Sequence, residues 1–158
     1  MDGVPPQVEV GIGLGVVSQL FQTRVAEVLG PAGATYTQLS VLSHLVRHAE
    51  QHSIGDLAAA MQINQPGITK VVRRLEEDGL VTVVGHPDDR RRRLAAVTEA
   101  GVERFGELMS LLTEELSAWF DDWTESELRG FADFIWRLGG RLDQDRSNDD
   151  HGIGEAGS

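Results

Sequence analysis

The chain has 158 residues, 41 % of them hydrophobic and 25 % charged, and a formal net charge of -11. That length suits one compact domain with a real core, and no apolar run approaches the roughly 20 residues a bilayer span needs. The lack of cysteine excludes disulfides, thiolate metal sites and thiol redox sensing, while the acidity argues superficially against a nucleic-acid partner.

Residues 1–7 contain Pro5 and Pro6 and read as a disordered arm. Met1 to Val10 carries neither a basic cluster nor a small-residue cleavage site, so the expected location is cytoplasmic, without a leader or a membrane anchor. From Val8 to Leu29, apolar residues at Val10, Leu14, Val17, Leu20, Phe21, Val25, Val28 and Leu29 fit a helix. Gly11, Gly13 and Gly15 weaken its start, and Gly30-Pro31 ends it. Thr35 to Gln38 has the form of a capping box, opening a helix to about Ala49 that buries Leu39, Leu42, Leu45 and Val46. His44 and His48 share a face of that helix, but no third ligand is evident nearby, so no metal is expected.

Ile54 suits a one-rung strand before a helix over Asp56–Met61. Asn64 then reads as the N-cap of a second helix, with Pro66 in its first turn and Gly79 as its left-handed terminator. Ile68, Val71, Val72 and Leu75 form the inward stripe of this helix. Gln65, Gly67, Thr69, Lys70, Arg73 and Arg74 are left outward, with short or hydrogen-bonding groups at the N-terminal end and cations along the side. A recognition helix needs that arrangement, because its N-terminal residues meet base edges while Lys and Arg hold phosphates. Any amphipathic surface helix also shows polar residues outward, so the helix alone does not decide.

The segment after it adds weight. Strands at 80–84 and 93–97 flank a tip with four consecutive arginines, Arg90 to Arg93. Such a run repels itself, and a narrow minor groove would stabilise it. Asp89 is placed to orient Arg91 by a charge-assisted bond. Over Ser53–Thr98 there are seven Lys and Arg against six acids, a net of +1, so the rest of the chain carries -12. That asymmetry would orient the protein on a duplex.

Five pieces in order resemble the MarR family. They are Gln38-Leu39-x-Val41-Leu42, Leu57-Ala58, the run from Gln65-Pro66 through Ile68-Thr69-Lys70 and Arg74-Leu75-Glu76 to Gly79-Leu80-Val81, Pro87-x-Asp89-Arg90-Arg91, and Thr98-Glu99-x-Gly101. The resemblance covers about Thr35 to Gly101. Gly67, where the family usually has a polar side chain, and Gln62, where a small residue is common, depart from the pattern. Beyond it, Thr98 caps a helix to about Phe120, and Thr124 to Glu127 is a further capping box before a helix bearing Leu128, Phe131, Phe134, Ile135 and Leu138.

The expected fold is mainly α with a small β-hairpin. Residues 35–98 form a winged helix-turn-helix lobe, 8–34 and 99–142 a helical dimerisation region, and 143–158 a disordered tail. The expected function is a sequence-specific DNA-binding regulator, a ligand-responsive repressor that binds a palindromic operator as a homodimer. Asn64, Gln65, Pro66, Gly67, Thr69, Lys70, Arg73, Arg74, Arg90, Arg91 and Arg92 are the expected DNA-binding residues. The resemblance implies a small aromatic or lipophilic effector, for which Arg24, His44 and Arg47 are polar candidates. No cofactor is expected, and no catalytic residue either, since neither a phosphate loop nor a Ser/His/Asp set is present. The rival reading is a degenerate winged helix that binds protein and lacks specific DNA binding.

Overall fold

The computed structural model describes residues 3–87, 89 and 92–152, with 143–152 described through their backbone alone. The chain divides into two compact units, residues 1–115 and 116–158.

In the first unit α1 (Pro6–Leu29) begins two residues before Val8, because Pro6 sits in the first turn, where its missing N–H and preset φ cost nothing. Only Val25 and Leu29 of α1 are buried. Val10 and Leu20 are 62 % and 61 % exposed, with Ile12, Leu14, Val16 and Val17 exposed between them. A single-turn 3-10 helix, Gly30–Ala32, leads to α2 (Tyr36–Arg47). The expected capping box is formed: Gln38 N donates to Thr35 Oγ1 at 3.2 Å, and Thr35 N donates to Gln38 Oε1 at 2.9 Å. The helix stops at Arg47, short of Ala49, and buries Val41 beside Leu39, Leu42 and Leu45, with Val46 half-buried.

The expected strand at Ile54 lies one step earlier, as β1 (His52–Ser53), and Ile54 opens α3 (Ile54–Met61). Ser53 explains the shift. Its hydroxyl accepts from Asp56 N at 3.1 Å and donates to Asp56 Oδ2 at 2.6 Å, a cap that starts the helix at the next residue. Gln62 ends α3 in the left-handed region at φ 56°, a conformation that disfavours a side chain by about 1–2 kcal/mol. The helix α4 (Gln65–Glu77) follows, capped by Asn64, and Ile68, Val72 and Leu75 face inward. Gly79, at φ 74°, terminates it as expected, and Leu80 N closes back on Leu75 O at 2.8 Å.

The wing is richer than a hairpin. Strands β2 (Val81–Gly85) and β3 (Arg93–Val97) pair antiparallel from Val81 opposite Val97 to Gly85 opposite Arg93. On its other edge β3 pairs with β1, His52 opposite Ala95 and Ser53 opposite Leu94, giving a three-stranded sheet ordered β1-β3-β2. The helix α5 (Glu99–Trp119) starts at a tight junction. Thr98 Oγ1 donates to Gly79 O at 2.8 Å and accepts from Gly101 N at 3.0 Å, while Thr98 N donates to Leu80 O at 3.1 Å. Leu108 and Leu112 carry α5 into the core of the unit.

In the second unit the Thr124 box forms as expected, with Glu127 N donating to Thr124 Oγ1 at 3.3 Å and Thr124 N to Glu127 Oε2 at 2.8 Å. It opens α6 (Glu125–Gly152). This helix runs ten residues into the segment expected to be a disordered tail, since nothing between Arg141 and His151 is Gly or Pro to interrupt it. Phe120, Trp123 and Phe131 stack in sequence, with ring centroids 5.4 and 5.5 Å apart. Phe134 and Trp136 remain 61 % and 71 % exposed, beside exposed Ile135 and Leu142.

Candidate nucleic-acid interface

The interface is built from the start of α4. Asn64 lies just outside the helix, at φ -60° and ψ 149°, and its Oδ1 accepts from Gly67 N at 2.8 Å. That bond satisfies one orphan donor and fixes the direction in which the first turn projects. Gly67 is small for a local reason. A Cβ there would stand 2.9 Å from Ile63 Cγ2 and 3.1 Å from Asn64 Oδ1, pressing on the cap itself. The departure from the family pattern therefore protects the Asn64 bond.

Gln65 and Pro66 are exposed in the first turn, and Thr69 and Lys70 are exposed one turn on. Thr69 Oγ1 donates to Gln65 O at 2.8 Å. Its hydroxyl proton is thus committed to the helix, which leaves its lone pair and its methyl group to face a base edge. Arg73 and Arg74 are engaged within α4: Arg73 Nε pairs with Glu77 at 3.0 Å, and Arg74 Nε with Asp78 at 3.2 Å. Both pairs are exposed, so each is a weak link that a phosphate can displace. Within α4, Lys70 is the first cation in sequence after the cap.

The loop end of the wing strands meets this end of α4. A cleft of about 370 Å³ is lined by Gln65 and Thr69 from α4, Arg92 and Arg93 from the wing, and Ser53, Ile54, Gly55 and Asp56 from the start of α3. Arg92 is held by its backbone, since His86 N donates to its carbonyl and its own N–H donates to Asp89 O, both at 3.0 Å. Its guanidinium reaches Asp56 Oδ2 at 3.5 Å. The Ser53 hydroxyl holds the Asp56 carboxyl below the usual carboxylate range, with Arg92 and His52 adding to the effect. Asp56 thus links the start of α3 to the wing. Arg93 and Asp56 were absent from the expected site. Arg93 opens a strand and Asp56 lies in the first turn of a helix, so neither is marked as a site residue by its own element. Arg90 and Arg91, together with the expected Asp89–Arg91 bond, lie outside the described residues.

The three effector candidates do not converge. A cavity of about 400 Å³ lies between α2, the end of α3 and Met109 of α5, lined by Tyr36, Ser40, Ser43, Arg47, Met61 and Ile63 among others. Of the candidates only Arg47 lines it. Arg24 is drawn away by carboxylates, pairing with Glu115 at 2.6 Å and Glu27 at 2.7 Å. His44 turns toward His48 and His52.

Residues 32–92 match the MarR family. The chain is 39 % identical over 71 residues to the transcriptional activatory protein BadR of Rhodopseudomonas palustris, a match that covers 44 % of this chain and 41 % of BadR. It is 24 % identical over 130 residues to the HTH-type transcriptional repressor MdtR of Bacillus subtilis, covering 82 % of this chain and 83 % of MdtR. The crystal structure of a MarR-family transcriptional regulator from Rhodococcus sp. RHA1 superposes with a TM-score of 0.75 at 25 % identity, over 85 % of this chain and 94 % of that one. The matched segment holds α2, α3, the capped α4 and the first strand of the wing, so this part of the chain is similar to the MarR family of transcriptional regulators, and the fold is the one these regulators share.

Proposed function

We propose that the chain is a ligand-responsive repressor that binds a palindromic operator as a homodimer. The observation that carries the reading is the cleft in which Gln65 and Thr69 at the capped end of α4 face Arg92 and Arg93 at the loop end of the wing strands. In this reading α4 enters a major groove, Gln65 and Thr69 meet base edges, and Lys70, Arg73 and Arg74 take phosphates. The arginine tip, Arg90 and Arg91 included, follows the flanking minor groove. The dimer is supported by apolar surface on α1 in the first unit and on α6 in the second, more than a single chain covers. Two-fold symmetry then spaces the half-sites about one helical turn, roughly 34 Å, apart.

The effector is a small aromatic or lipophilic molecule in the cavity beside Arg47, whose guanidinium suits a carboxylate at one end. The chain works in the cytoplasm on double-stranded DNA and catalyses no reaction. Among the described residues no helix is long and apolar enough to cross a membrane. Selection of genomic fragments with the purified protein tests the reading. An enriched two-fold-symmetric sequence near the gene of a transported or degraded compound supports it. Recovery of fragments without any common sequence would favour the protein-interaction module instead.

A further inference from the structure

Away from the DNA-facing surface, strand pairing supplies the third imidazole that the sequence alone did not offer. His44 in the last turn of α2 and His48, the residue that ends the helix, have ring centroids 4.6 Å apart. His52 in β1 closes the group, 4.8 Å from His44 and 5.9 Å from His48. A tetrahedral metal holds imidazole nitrogens at about 2.0–2.1 Å, which places the ring centroids roughly 5 Å from one another. The three separations straddle that value.

The backbone beneath the rings is well held. His48 N donates to His44 O at 3.0 Å, and β1 is paired with β3 through His52 opposite Ala95. As the rings stand, no group of three His, Asp or Glu among the described residues is placed to hold a metal ion. Closing the site takes rotation of the rings, for which the exposure of His48 and the partial exposure of His44 and His52 leave room. His52 Nε2 would then give up its 3.2 Å contact with His48 O.

We propose that His44, His48 and His52 form a binding site for one borderline divalent transition metal of the zinc class. An all-imidazole set suits zinc, nickel or copper(II) over the oxygen-seeking magnesium and calcium, and the fourth position is left to water. Its placement gives the metal a structural consequence. It ties the end of α2 to β1 and so to the sheet that carries the wing, and Ser53, next in the chain, caps the turn holding Asp56 beside Arg92.

Zinc titration of the full chain against a chromophoric chelator, at pH near 7.5, tests the site. The expected result is one equivalent per chain, an affinity at least tenfold lower in His52→Ala and His48→Ala, and no change in His86→Ala. Zinc should also raise the melting temperature of the wild type and not that of either cluster variant. His48 lies on the surface, so His48→Ala decides the matter where His52→Ala disturbs the sheet. Either no binding at micromolar zinc or equal binding in His48→Ala would overturn the proposal. The second outcome would assign the zinc to the acidic surface.

Discussion

Gly101→Ala is expected to lower folding stability by about 3 kcal/mol, a fall of roughly 6–12 °C in melting temperature for a chain of this size. A Cβ at this position would stand 2.1 Å from Leu80 O, 2.7 Å from Val97 Cγ2 and 3.1 Å from the Leu80 carbonyl carbon. The obstacle is backbone held from several sides, so it has little freedom to yield. Leu80 O accepts from Thr98 N, Leu80 N donates to Leu75 O, and Thr98 Oγ1 donates to Gly79 O. These bonds join the end of α4, the start of the wing and the start of α5, so relieving the collision would move α4 relative to the wing. Helix propensity alone predicts the opposite sign, since Ala is better than Gly by about 1 kcal/mol in a helix interior. Gly106 on the same helix supplies the contrast. A Cβ there meets nothing within 4 Å, so Gly106→Ala should leave stability unchanged or raise it. Thermal denaturation of the two variants checks the pair, and equal effects would refute the steric account.

The second large effect concerns binding. Gln65→Ala and Thr69→Ala should each weaken operator affinity by about 1–3 kcal/mol, roughly tenfold to a hundredfold, and relax sequence preference at one operator position. The melting temperature should hold, because both side chains are exposed. Arg73→Ala should cost less and do so uniformly across sequences, since its guanidinium is already shared with Glu77 and only exchanges partners on binding. Titration of the variants against an operator and its single-base mutants reads both properties. A larger loss from Arg73→Ala than from Gln65→Ala would mean that α4 docks along its side, not by its capped end.

What was legible in the sequence was local. Thr35 with Gln38, Asn64 before Pro66, Gly79 after Asp78 and Thr124 with Glu127 are signals spanning three or four residues, and each is formed as read. The inward stripe of α4 followed from its period alone, with Ile68, Val72 and Leu75 buried. What escaped depends on partners distant in the chain. The β1–β3 pairing brings His52 to His44 and His48, and the same pairing sets Ser53 at the end of a strand, so the helix begins at Ile54 and not at Asp56. Arg92 and Asp56 meet across 36 positions, a contact no window reveals. The scatter of the three effector candidates has a related cause. Periodicity puts Arg24, His44 and Arg47 on helices without saying how each helix is turned, and Glu115, 91 positions away, claims Arg24. Gly67 shows what geometry adds, for the residue that departs from the family pattern is the one that leaves the Asn64 cap its room.

The central claim is that a chain of net charge -11 binds a duplex through one basic segment. The salt dependence of operator binding tests it most directly. Each phosphate neutralised should add about 0.9 to the slope of log affinity against log salt. Affinity for the operator should fall steeply from low to moderate salt, with a scrambled duplex of equal length bound far more weakly throughout. Affinity that does not change with salt, or that is equal for the two duplexes, would contradict it.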